Sequence, residues 1–310
     1  MGATGQVGQV GLGVIGQLYA GHLLKAGPLL AFDVDAGRLA EAATRGATPR
    51  ASAAEVASGS DLVVLSLPSP EAVRAVMTGP DGLLAGVRGR AVILDTSTVD
   101  PGTSREMYER AGASGARYLD APVSGGAPGG AGTDGARAAT ISFMVGGDRD
   151  AFEDAEGVMR LLGQRWFYLG PSGSGSTVKL ISNLMAGLHN LVAAEAFVLA
   201  AAAGFSPETL FEVFDGTDAK SYWLTDYFAP RIRRRDFEPG FSVDLQYKDH
   251  RLAAELAQQL KVPALLNGLA VQMYQMLRAQ GLGGKDLVEA VNEFGRMAGV
   301  DIYEPGTPRP

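Results

Sequence analysis

The sequence predicts an α/β fold in which a doubly wound sheet is followed by an all-α domain, with one long helix joining the two. Three observations predict this fold. Short apolar runs alternate with helical patterns in the first half of the chain, a glycine-rich turn follows the first apolar run, and only helical patterns follow residue 170. We therefore expect one domain over residues 1–170 and a second over residues 171–310.

The candidate strands are short, apolar and bounded by turn residues. They are Gln6–Val10, Leu29–Asp33, Leu62–Leu67, Ala91–Asp95, Ala116–Leu119, Thr140–Val145 and Trp166–Leu169. Helical patterns lie between most of them, for example at Ile15–Ala26, Ala36–Arg45 and Pro101–Ala113. This order predicts parallel strands, right-handed crossovers and helices on both faces of the sheet.

The second half of the chain has a helical pattern throughout. Between Ser176 and Ala203 the only helix breaker is Gly187, so we expect one helix about 40 Å long. Gly204 suits its C-cap, and Ser206-Pro207 suits the start of the next helix. Further helices are expected at Pro207–Phe214, Val243–Leu260, Ala264–Ala279 and Lys285–Met297. The terminal YEPGTPRP is expected to fray.

Composition excludes several classes of function. The chain has 27 basic and 34 acidic side chains, a net charge of −7 and no cysteine, which excludes disulfides and thiolate chemistry and argues against general binding to nucleic acid or membranes. Its three histidines lie far apart, so no metal site is expected. The basic stretch Arg231–Phe237 is interpreted as a solvated helix end, with a binding stripe as the alternative. The start lacks a basic signal-peptide region, and the apolar run Leu191–Phe205 is too short to span a bilayer, so a cytoplasmic protein is expected.

A glycine-rich turn, Gly11-Leu12-Gly13-Val14-Ile15-Gly16, stands between the first strand and the first helix. Gly11 allows the tight turn, Gly13 lets a pyrophosphate approach the backbone, and Gly16 allows the helix to pack closely on the strand. The amino end of the helix would then bind the phosphates. This spacing alone is a weak signal, because other glycine-rich turns match it.

Asp33 strengthens the signal, because it ends the second strand 22 residues after Gly11, where an acid would bind the adenosine ribose. We therefore predict a Rossmann-type domain that binds NAD(P). NAD is favoured over NADP, since the Asp33 carboxylate would repel a 2′-phosphate and Arg38 is the only nearby cation. The alternatives are FAD, or a turn that binds nothing.

Lys179 and Asn183, in the stretch GSGSTVKLISN, lie four residues apart and hence on one helix face. A lysine beside an asparagine suits proton transfer to or from a hydroxyl that the amide holds in place. The alternative is an exposed lysine and a surface amide. The stretch LDAPVSGG ends an apolar strand in Ser124-Gly125-Gly126, whose N–H groups could bind a substrate carboxylate. The alternative there is an ordinary loop.

Several motifs occur together and in one order: VGLGVIG, DAPVSGG, MVGGD, GSGSTVKLISN and FEPGFSVDLQYKDHRLA. Over nearly its whole length the chain resembles the β-hydroxyacid dehydrogenases, which include 3-hydroxyisobutyrate dehydrogenase and tartronate semialdehyde reductase. The resemblance implies hydride transfer between NAD(P) and a small β-hydroxy acid, with the nicotinamide between the domains. It also implies a homodimer or homotetramer, for which the long apolar helix would supply a surface.

The resemblance also implies roles for individual residues. Lys179 matches the catalytic lysine, Asn183 the amide that positions the substrate, and Ser124, Gly125 and Gly126 the loop that binds its carboxylate. Further positions match residues at the cofactor, namely Leu67, Pro68, Thr98 and Lys248; from its own surroundings in the sequence, Lys248 would be interpreted only as a solvated helix charge.

Two segments depart from the family pattern. Between Gly126 and Met144 the chain is longer and rich in glycine and alanine, which suggests a mobile flap over residues 127–139. The segment Asp215–Leu224 contains Tyr222 and Trp223, which either form an aromatic wall of the substrate site or pack in the core. The alternatives to a dehydrogenase are an imine reductase, which generally has another residue at position 179, and an inactive cofactor-binding scaffold. The chain is too short for the C-terminal domain of 6-phosphogluconate dehydrogenase.

Overall fold

The computed structural model describes residues 5–125 and 132–306. Its contacts divide the chain into two compact units, one reaching Leu180 and the other starting at Ile181. Both belong to a chain in which an α/β half precedes a helical half, which confirms the predicted fold class. The domain division at residue 170 stays a prediction, since a compact unit and a folding domain need not end at the same residue.

The first unit contains a six-stranded sheet with the strand order β3-β2-β1-β4-β5-β6, and every pair is parallel. Its strands are β1 Val7–Val10, β2 Leu29–Phe32, β3 Thr48–Pro49, β4 Leu62–Leu65, β5 Val92–Asp95 and β6 Arg117–Asp120. The order reverses at β1, whose neighbours are β2 and β4. This is the doubly wound arrangement, in which ligands bind beyond the carboxyl ends of the strands at the reversal.

Both faces of this sheet are covered. In β4, LVVL, the side chains of Leu62 and Val64 pack into one apolar cluster, while those of Val63 and Leu65 pack into another. Helix residues complete each cluster, so successive side chains of one strand are buried on opposite faces. This burial on both sides explains why the strands are continuous apolar runs in the sequence.

A second, three-stranded sheet was not expected from the sequence. It consists of β7 Val123–Ser124, β8 Ile141–Val145 and β9 Gly163–Tyr168. The prediction of parallel pairing throughout is wrong here, because β7 pairs with β8 in the antiparallel sense. The strands β3 and β7 have only two residues each, too few to show a periodicity.

Helices of the first unit begin at residues suited to capping. Ser52, Ser69 and Asp100 each accept a hydrogen bond from a first-turn N–H, at 2.8–3.2 Å. The helices are α1 Val14–Ala26, α2 Ala36–Thr44, α3 Ala53–Ser58, α4 Pro70–Thr78, α5 Leu83–Gly86, α6 Pro101–Ala113, α7 Gly132–Ala138 and α8 Arg149–Leu162.

The expected flap over residues 127–139 is in part a helix, α7. His22 of α1 holds its end, since the Nε2 atom lies 2.9 Å from the carbonyl oxygen of Ala136 and 3.1 Å from that of Arg137. The expectation of a loop is therefore wrong for residues 132–138. Residues 127–131, like Gly126, lie outside the described residues.

The long helix α9 spans Ser174–Ala202, two residues earlier at its start than predicted. It has 29 residues, and a stretch of 18 of them has a mean hydropathy of 1.6, so by length and composition it could cross a membrane. The apolar run Leu191–Phe205, which was expected to be too short for this, is only part of the longer helix. The same length and composition also occur in core helices of globular proteins, and Leu191, Ala194, Phe197 and Ala201 are buried in the core of the second unit.

The second unit is helical, as predicted. It contains α10 Pro207–Asp215, a π-helical turn Trp223–Phe228, α11 Ala229–Arg234, α12 Val243–Leu260, α13 Leu265–Ala279, a 3₁₀ turn Leu287–Glu289 and α14 Ala290–Ala298. The helix expected over Lys285–Met297 is shorter, because Asp286 caps the 3₁₀ turn through Val288 N–H at 3.1 Å.

Two expectations about charged or terminal residues are wrong in part in this unit. Of the basic stretch Arg231–Phe237, the three arginines Arg233, Arg234 and Arg235 are exposed, as expected of a solvated helix end, but Arg231 is not. Arg231 is no solvated helix charge: it lies 3.3 Å from the buried Asp286 carboxylate and over the ring of Tyr227. The terminal segment does not fray at its start, since Ile302 is buried and Gly306 N–H donates to the carbonyl of Ala201 at 2.9 Å. Residues 307–310 lie outside the described part of the chain.

Candidate active site

Apart from Lys248, which lies on α12, the residues predicted to bind the cofactor collect at one edge of the large sheet. The glycine turn follows β1, Asp33 follows β2, and Leu67 follows β4. Since all these strands are parallel and neighbours, their carboxyl ends lie side by side at the point where the strand order reverses. That edge is where doubly wound folds bind nucleotides.

The three glycines of the turn differ in what surrounds them. Gly11 has φ +91°, and a Cβ there would lie 2.3 Å from the Ser66 carbonyl oxygen. A Cβ on Gly16 would lie 2.1 Å from the Gly11 carbonyl oxygen, whereas a Cβ on Gly13 would have no atom of the described residues within 4 Å, its own chain neighbours apart. Packing therefore requires glycine at 11 and 16, but it leaves open space beside Gly13.

That open space is what a pyrophosphate close to the backbone needs. Gly13 is also the N-cap of α1, and no side chain caps the helix there. The N–H groups of the first turn and the helix dipole are thus directed to a site that accepts an anion. The residues present fit a dinucleotide, with the turn Gly11–Gly16 at its phosphates.

The side chain of Gln9, which the sequence analysis missed, holds this turn by hydrogen bonds to its main chain. It is fully buried, and its Nε2 donates to the carbonyl oxygens of Gly16 at 2.6 Å and Gly11 at 3.3 Å. A lone polar residue in an apolar strand is the signal that could have indicated it, because a buried amide needs partners.

Asp33 touches the turn directly. Its Oδ2 accepts a hydrogen bond from Leu12 N–H at 2.6 Å, and its Oδ1 accepts one from Asp35 N–H at 2.8 Å. The carboxylate is therefore fixed beside the glycine turn. Arg38 lies 3.6 Å from the Asp35 carboxylate, so this cation already has an acidic partner.

The next two strand ends contact each other. Leu67 N–H donates to Ser97 Oγ at 3.0 Å, and Ser97 N–H donates to Asp95 Oδ1 at 2.9 Å. Pro68 is exposed and Thr98 is half-buried beside these residues in the chain. The predicted cofactor contacts at 67, 68 and 98 thus lie on loops after neighbouring strands, and their roles stay predictions.

The segment predicted to bind the substrate carboxylate is partly a strand. Ser124 belongs to β7, where it pairs with Ser142, and Gly125 follows it; both are half-buried. The alternative of an ordinary loop is therefore wrong for Ser124, and its role in binding a carboxylate stays a prediction. Gly126, the third residue of the predicted concavity, lies outside the described residues.

Lys179 lies in the second turn of α9 and has only 7% of its surface exposed. A lysine this buried is rare and calls for a specific reason, because burial disfavours its charged form. The alternative of an exposed first-turn lysine is wrong.

Asn183, four residues further along α9, is equally buried. Its side-chain Nδ2 donates to Asp249 Oδ2 at 2.5 Å, and its main-chain carbonyl oxygen accepts from Gln246 Nε2 at 3.0 Å. The alternative of a surface amide is therefore wrong. Lys248 is not a solvated charge either: its Nζ lies 3.2 Å from Asp249 Oδ1, and its side chain is mostly buried.

Asp249 is the residue that the sequence analysis missed in this cluster. It is 1% exposed. One oxygen of its carboxylate contacts Asn183, which is predicted to position the substrate, and the other contacts Lys248, which is predicted to contact the cofactor. Its position directly after Lys248 gave no signal, because the partner Asn183 is 66 residues away in the chain.

The two aromatic residues of the departing segment differ. The indole of Trp223 stacks on Tyr227 with 4.2 Å between ring centroids and packs against the core, whereas Tyr222 is 55% exposed. Both lie at the start of the π-helical turn, a local irregularity that is frequent at functional sites. Trp223 therefore has the contacts of core packing, and a place in the substrate site stays a prediction for both.

Comparisons with known proteins agree over almost the whole chain. Residues 6–170 match the family model of the NAD-binding domain of 6-phosphogluconate dehydrogenase, and residues 173–294 match that of the NAD-binding domain of NADP-dependent 3-hydroxyisobutyrate dehydrogenase. 2-(Hydroxymethyl)glutarate dehydrogenase of Eubacterium barkeri is 35% identical, over 96% of this chain and 97% of its own. The NAD-dependent L-serine dehydrogenase of Pseudomonas aeruginosa is 33% identical, over 91% of this chain and 95% of its own.

Solved structures agree with this. 3-Hydroxyisobutyrate dehydrogenase of Mycobacterium tuberculosis, solved with L-serine, has a TM-score of 0.84 and 30% identity, and the match covers 94% of this chain and 99% of that one. Imine reductases share the fold at 16–20% identity and TM-scores of 0.55–0.60. Given two matching family models and relatives that align over nearly their whole length, this chain belongs to the β-hydroxyacid dehydrogenase family of 3-hydroxyisobutyrate dehydrogenase, the NAD(P)-dependent oxidoreductases that act on CH–OH groups.

Proposed function

We propose that this protein oxidises the hydroxyl group of a small β-hydroxy acid similar to 3-hydroxyisobutyrate, or reduces the corresponding semialdehyde, with Lys179 as the general acid and base. The observation that carries the proposal is the burial of Lys179 in the second turn of α9, four residues before an equally buried Asn183. A buried amine next to a fixed amide on one helix suits proton exchange with a substrate hydroxyl.

Each residue has a defined task in this proposal. The neutral Lys179 amine takes the proton of the substrate hydroxyl. At the same time a hydride, a hydrogen with two electrons, leaves the carbon that bears this hydroxyl, so that the alcohol becomes a carbonyl. The dinucleotide, when bound, supplies the hydride acceptor. In the reverse direction the Lys179 ammonium protonates the oxygen. Asn183, which Asp249 orients, fixes the hydroxyl, and the segment from Ser124 to Gly126 binds the carboxylate.

We further propose NAD as the preferred cofactor. The support is the Asp33 carboxylate, which lies against the glycine turn and would repel a 2′-phosphate, together with the pairing of Arg38 with Asp35. The relative from Pseudomonas aeruginosa is named an NAD-dependent enzyme.

A second copy of the chain is the proposed partner of α9. Ile181, Met185, Val192 and Leu199 lie at helical spacing and are 51–73% exposed, an apolar stripe that one exposed charged residue, Glu195, interrupts. A mass measurement in solution that gives a monomer at micromolar concentration would contradict this.

The experiment is a steady-state assay of nicotinamide absorbance with NAD and with NADP, over hydroxy acids, semialdehydes and cyclic imines. We expect turnover of β-hydroxy acids with NAD, and kcat for Lys179→Ala lowered on the order of 100-fold or more through lost proton transfer. The Kd for NAD should stay unchanged in that variant. Near-normal turnover would remove Lys179 from its role, and turnover of imines alone would favour an imine reductase.

A further inference from the structure

We propose that Asp120 is a positioning residue for the chemistry: its carboxylate fixes the first turn of α9, and with it Lys179, to the strand that leads to Ser124. The proposal rests on the role proposed for Lys179 above. Neither the sequence motifs nor the family resemblance assigned a task to Asp120, which is the last residue of β6 and is 1% exposed.

Both oxygens of this carboxylate bind the start of α9. Oδ1 accepts a hydrogen bond from Gly173 N–H at 2.8 Å, and Oδ2 accepts one from Ser176 N–H at 2.9 Å, although these donors are 53 and 56 residues away in the chain. Ser172 Oγ also donates to Oδ1, at 3.3 Å. The carboxylate therefore has three donors from one short segment.

Asp120 takes the place of a local helix cap. Ser176 is the third residue of α9, whose N–H an N-cap side chain normally binds, but the residue before the helix is Gly173, which has no side chain. A carboxylate at this position also interacts favourably with the helix dipole. Because the capping residue belongs to the sheet, it satisfies a free N–H group of the first turn and also fixes the start of the helix to the sheet.

The main chain at the start of α9 packs closely against the strands around the Asp120 carboxylate, which leaves no room for the helix to shift. A Cβ on Gly175 would lie 2.2 Å from the Met144 carbonyl oxygen and 2.6 Å from that of Asp120. A Cβ on Gly146 would lie 2.8 Å from Asp120 Oδ1. Gly175 of the GSGS stretch therefore serves close approach of the helix to β6 and β8, and not flexibility.

The distance along the helix links this anchor to the chemistry. Lys179 follows Ser176 by three residues, about 4.5 Å along the helix axis. On the other side, Asp120 precedes Ser124 by only four residues. One side chain therefore sets the position of both the proposed base and the proposed carboxylate-binding segment. A misplacement of about 1 Å can lower turnover on the order of 100-fold.

The test is a double-mutant cycle with Asp120→Asn and Lys179→Ala, measured on the best β-hydroxy acid of the assay. Asparagine keeps the shape but presents an amide to one of the two N–H donors. We expect Asp120→Asn to lower kcat on the order of 10-fold, and to lower it by less than about twofold when Lys179 is already alanine. The Kd for NAD should not change, since the glycine turn has no contact with Asp120.

Equal losses of kcat in both backgrounds would overturn the proposal, because a merely structural role lowers turnover whichever residue stands at 179. An unchanged kcat for Asp120→Asn would overturn it as well. Near-normal turnover of Lys179→Ala alone would refute the proposed function and, with it, this inference; the single variant distinguishes that failure from the others.

A second pair of variants decides the matter if Asp120→Asn does not fold. Ser176→Pro removes the main-chain donor to Oδ2 together with the side-chain hydroxyl, at a first-turn position where proline is tolerated. Ser176→Ala keeps that donor and removes the hydroxyl contact with Ser104 Oγ at 2.8 Å, so both variants lose the hydroxyl. We expect kcat for Ser176→Pro to fall at least about fivefold below that of Ser176→Ala. Equal kcat values would overturn the proposal.

Discussion

The glycine turn after β1 and the cluster of Asn183, Asp249 and Lys248 in the second unit are built from different kinds of contact. In the turn, the close approaches are between main-chain atoms, and the hydrogen bond from Leu12 N–H to the Asp33 side chain joins residues only 21 positions apart. In the cluster, a buried carboxylate joins side chains 66 positions apart. The first arrangement is specified by a local motif, whereas the second exists only once α9 and α12 have packed.

The comparison predicts that substitutions in the turn separate binding from folding. Gly13→Ala should leave the unfolding temperature nearly unchanged, because no atom of the described residues other than its chain neighbours lies within 4 Å of the new Cβ. It should raise the Kd for NAD on the order of 100-fold, because loss of two hydrogen bonds to a charged phosphate costs about 1.5 kcal/mol each. Thermal unfolding and a fluorescence titration with NADH measure the two effects.

Gly16→Ala is the matched control, since its Cβ would lie 2.1 Å from the Gly11 carbonyl oxygen. It should lower the free energy of unfolding by at least about 1–3 kcal/mol, as expected for overpacking. If Gly13→Ala binds NADH as tightly as the wild type, the open space beside Gly13 does not receive the phosphates.

In the cluster, by contrast, one substitution should impair two sites together. Asp249→Asn removes the charge facing Lys248 and puts an amide in place of one of the two carboxylate oxygens, either beside Asn183 or beside Lys248. We expect kcat/KM for the hydroxy acid to fall on the order of 10-fold because the Asn183 amide loses its fixed orientation. The KM for NAD should rise at the same time.

Asp244→Asn, on the same helix, is the control for a general loss of charge. Asp244 pairs with Arg278 at 2.5 Å, but both side chains are well exposed, so the change should alter kcat/KM by less than about twofold. Equal effects of the two variants would show that Asp249 has no special relation to the site.

The same contrast explains what could be predicted from the sequence. The apolar strands, the glycine turn and the long helix are recognisable because each depends on a local pattern that packing does not override. The strands Thr48–Pro49 and Val123–Ser124 and the helix Gly132–Ala138 could not be recognised, because two residues show no periodicity and the glycines in this helix disfavour it.

Among the site residues, Lys179 and Asn183 could be paired by their spacing. The residues that hold them in place could not be predicted. Asp249 and Asp120 contact residues 66 and 53–56 positions away, and no pattern in one sequence connects such positions. Gln9 is different: as a lone polar residue within an apolar strand, it could have been recognised as buried and hydrogen-bonded.

The last prediction concerns stability and pH at Asp95, a buried carboxylate of the sheet edge whose register partner is Asp120. Burial raises the pKa of Asp95 from 3.8 to about 6, against the opposing effect of hydrogen bonds from Ser97 and Tyr118. Between these two values the folded state holds a proton that the unfolded state has released. Stability therefore falls as the pH rises from about 4 to about 6, by at most about 1.4 kcal/mol per pH unit, and this contribution is constant above that range.

Asp95→Asn should abolish this contribution, since an amide does not titrate. The free energy of unfolding of the variant, measured with denaturant, should improve relative to the wild type as the pH rises from 4 to 6, and the difference should stay constant from pH 7 to 8. A difference that is the same at every pH would show that Asp95 titrates alike in both states. The sign matters for the comparison, because Asp95 holds Ser97, and Ser97 holds the loop of Leu67. A strand end beside the cofactor edge would then be kept in place by a carboxylate whose ionisation costs stability at neutral pH, whereas the side chains of Asp33 and Gln9 hold the neighbouring turn through its main-chain N–H and carbonyl groups.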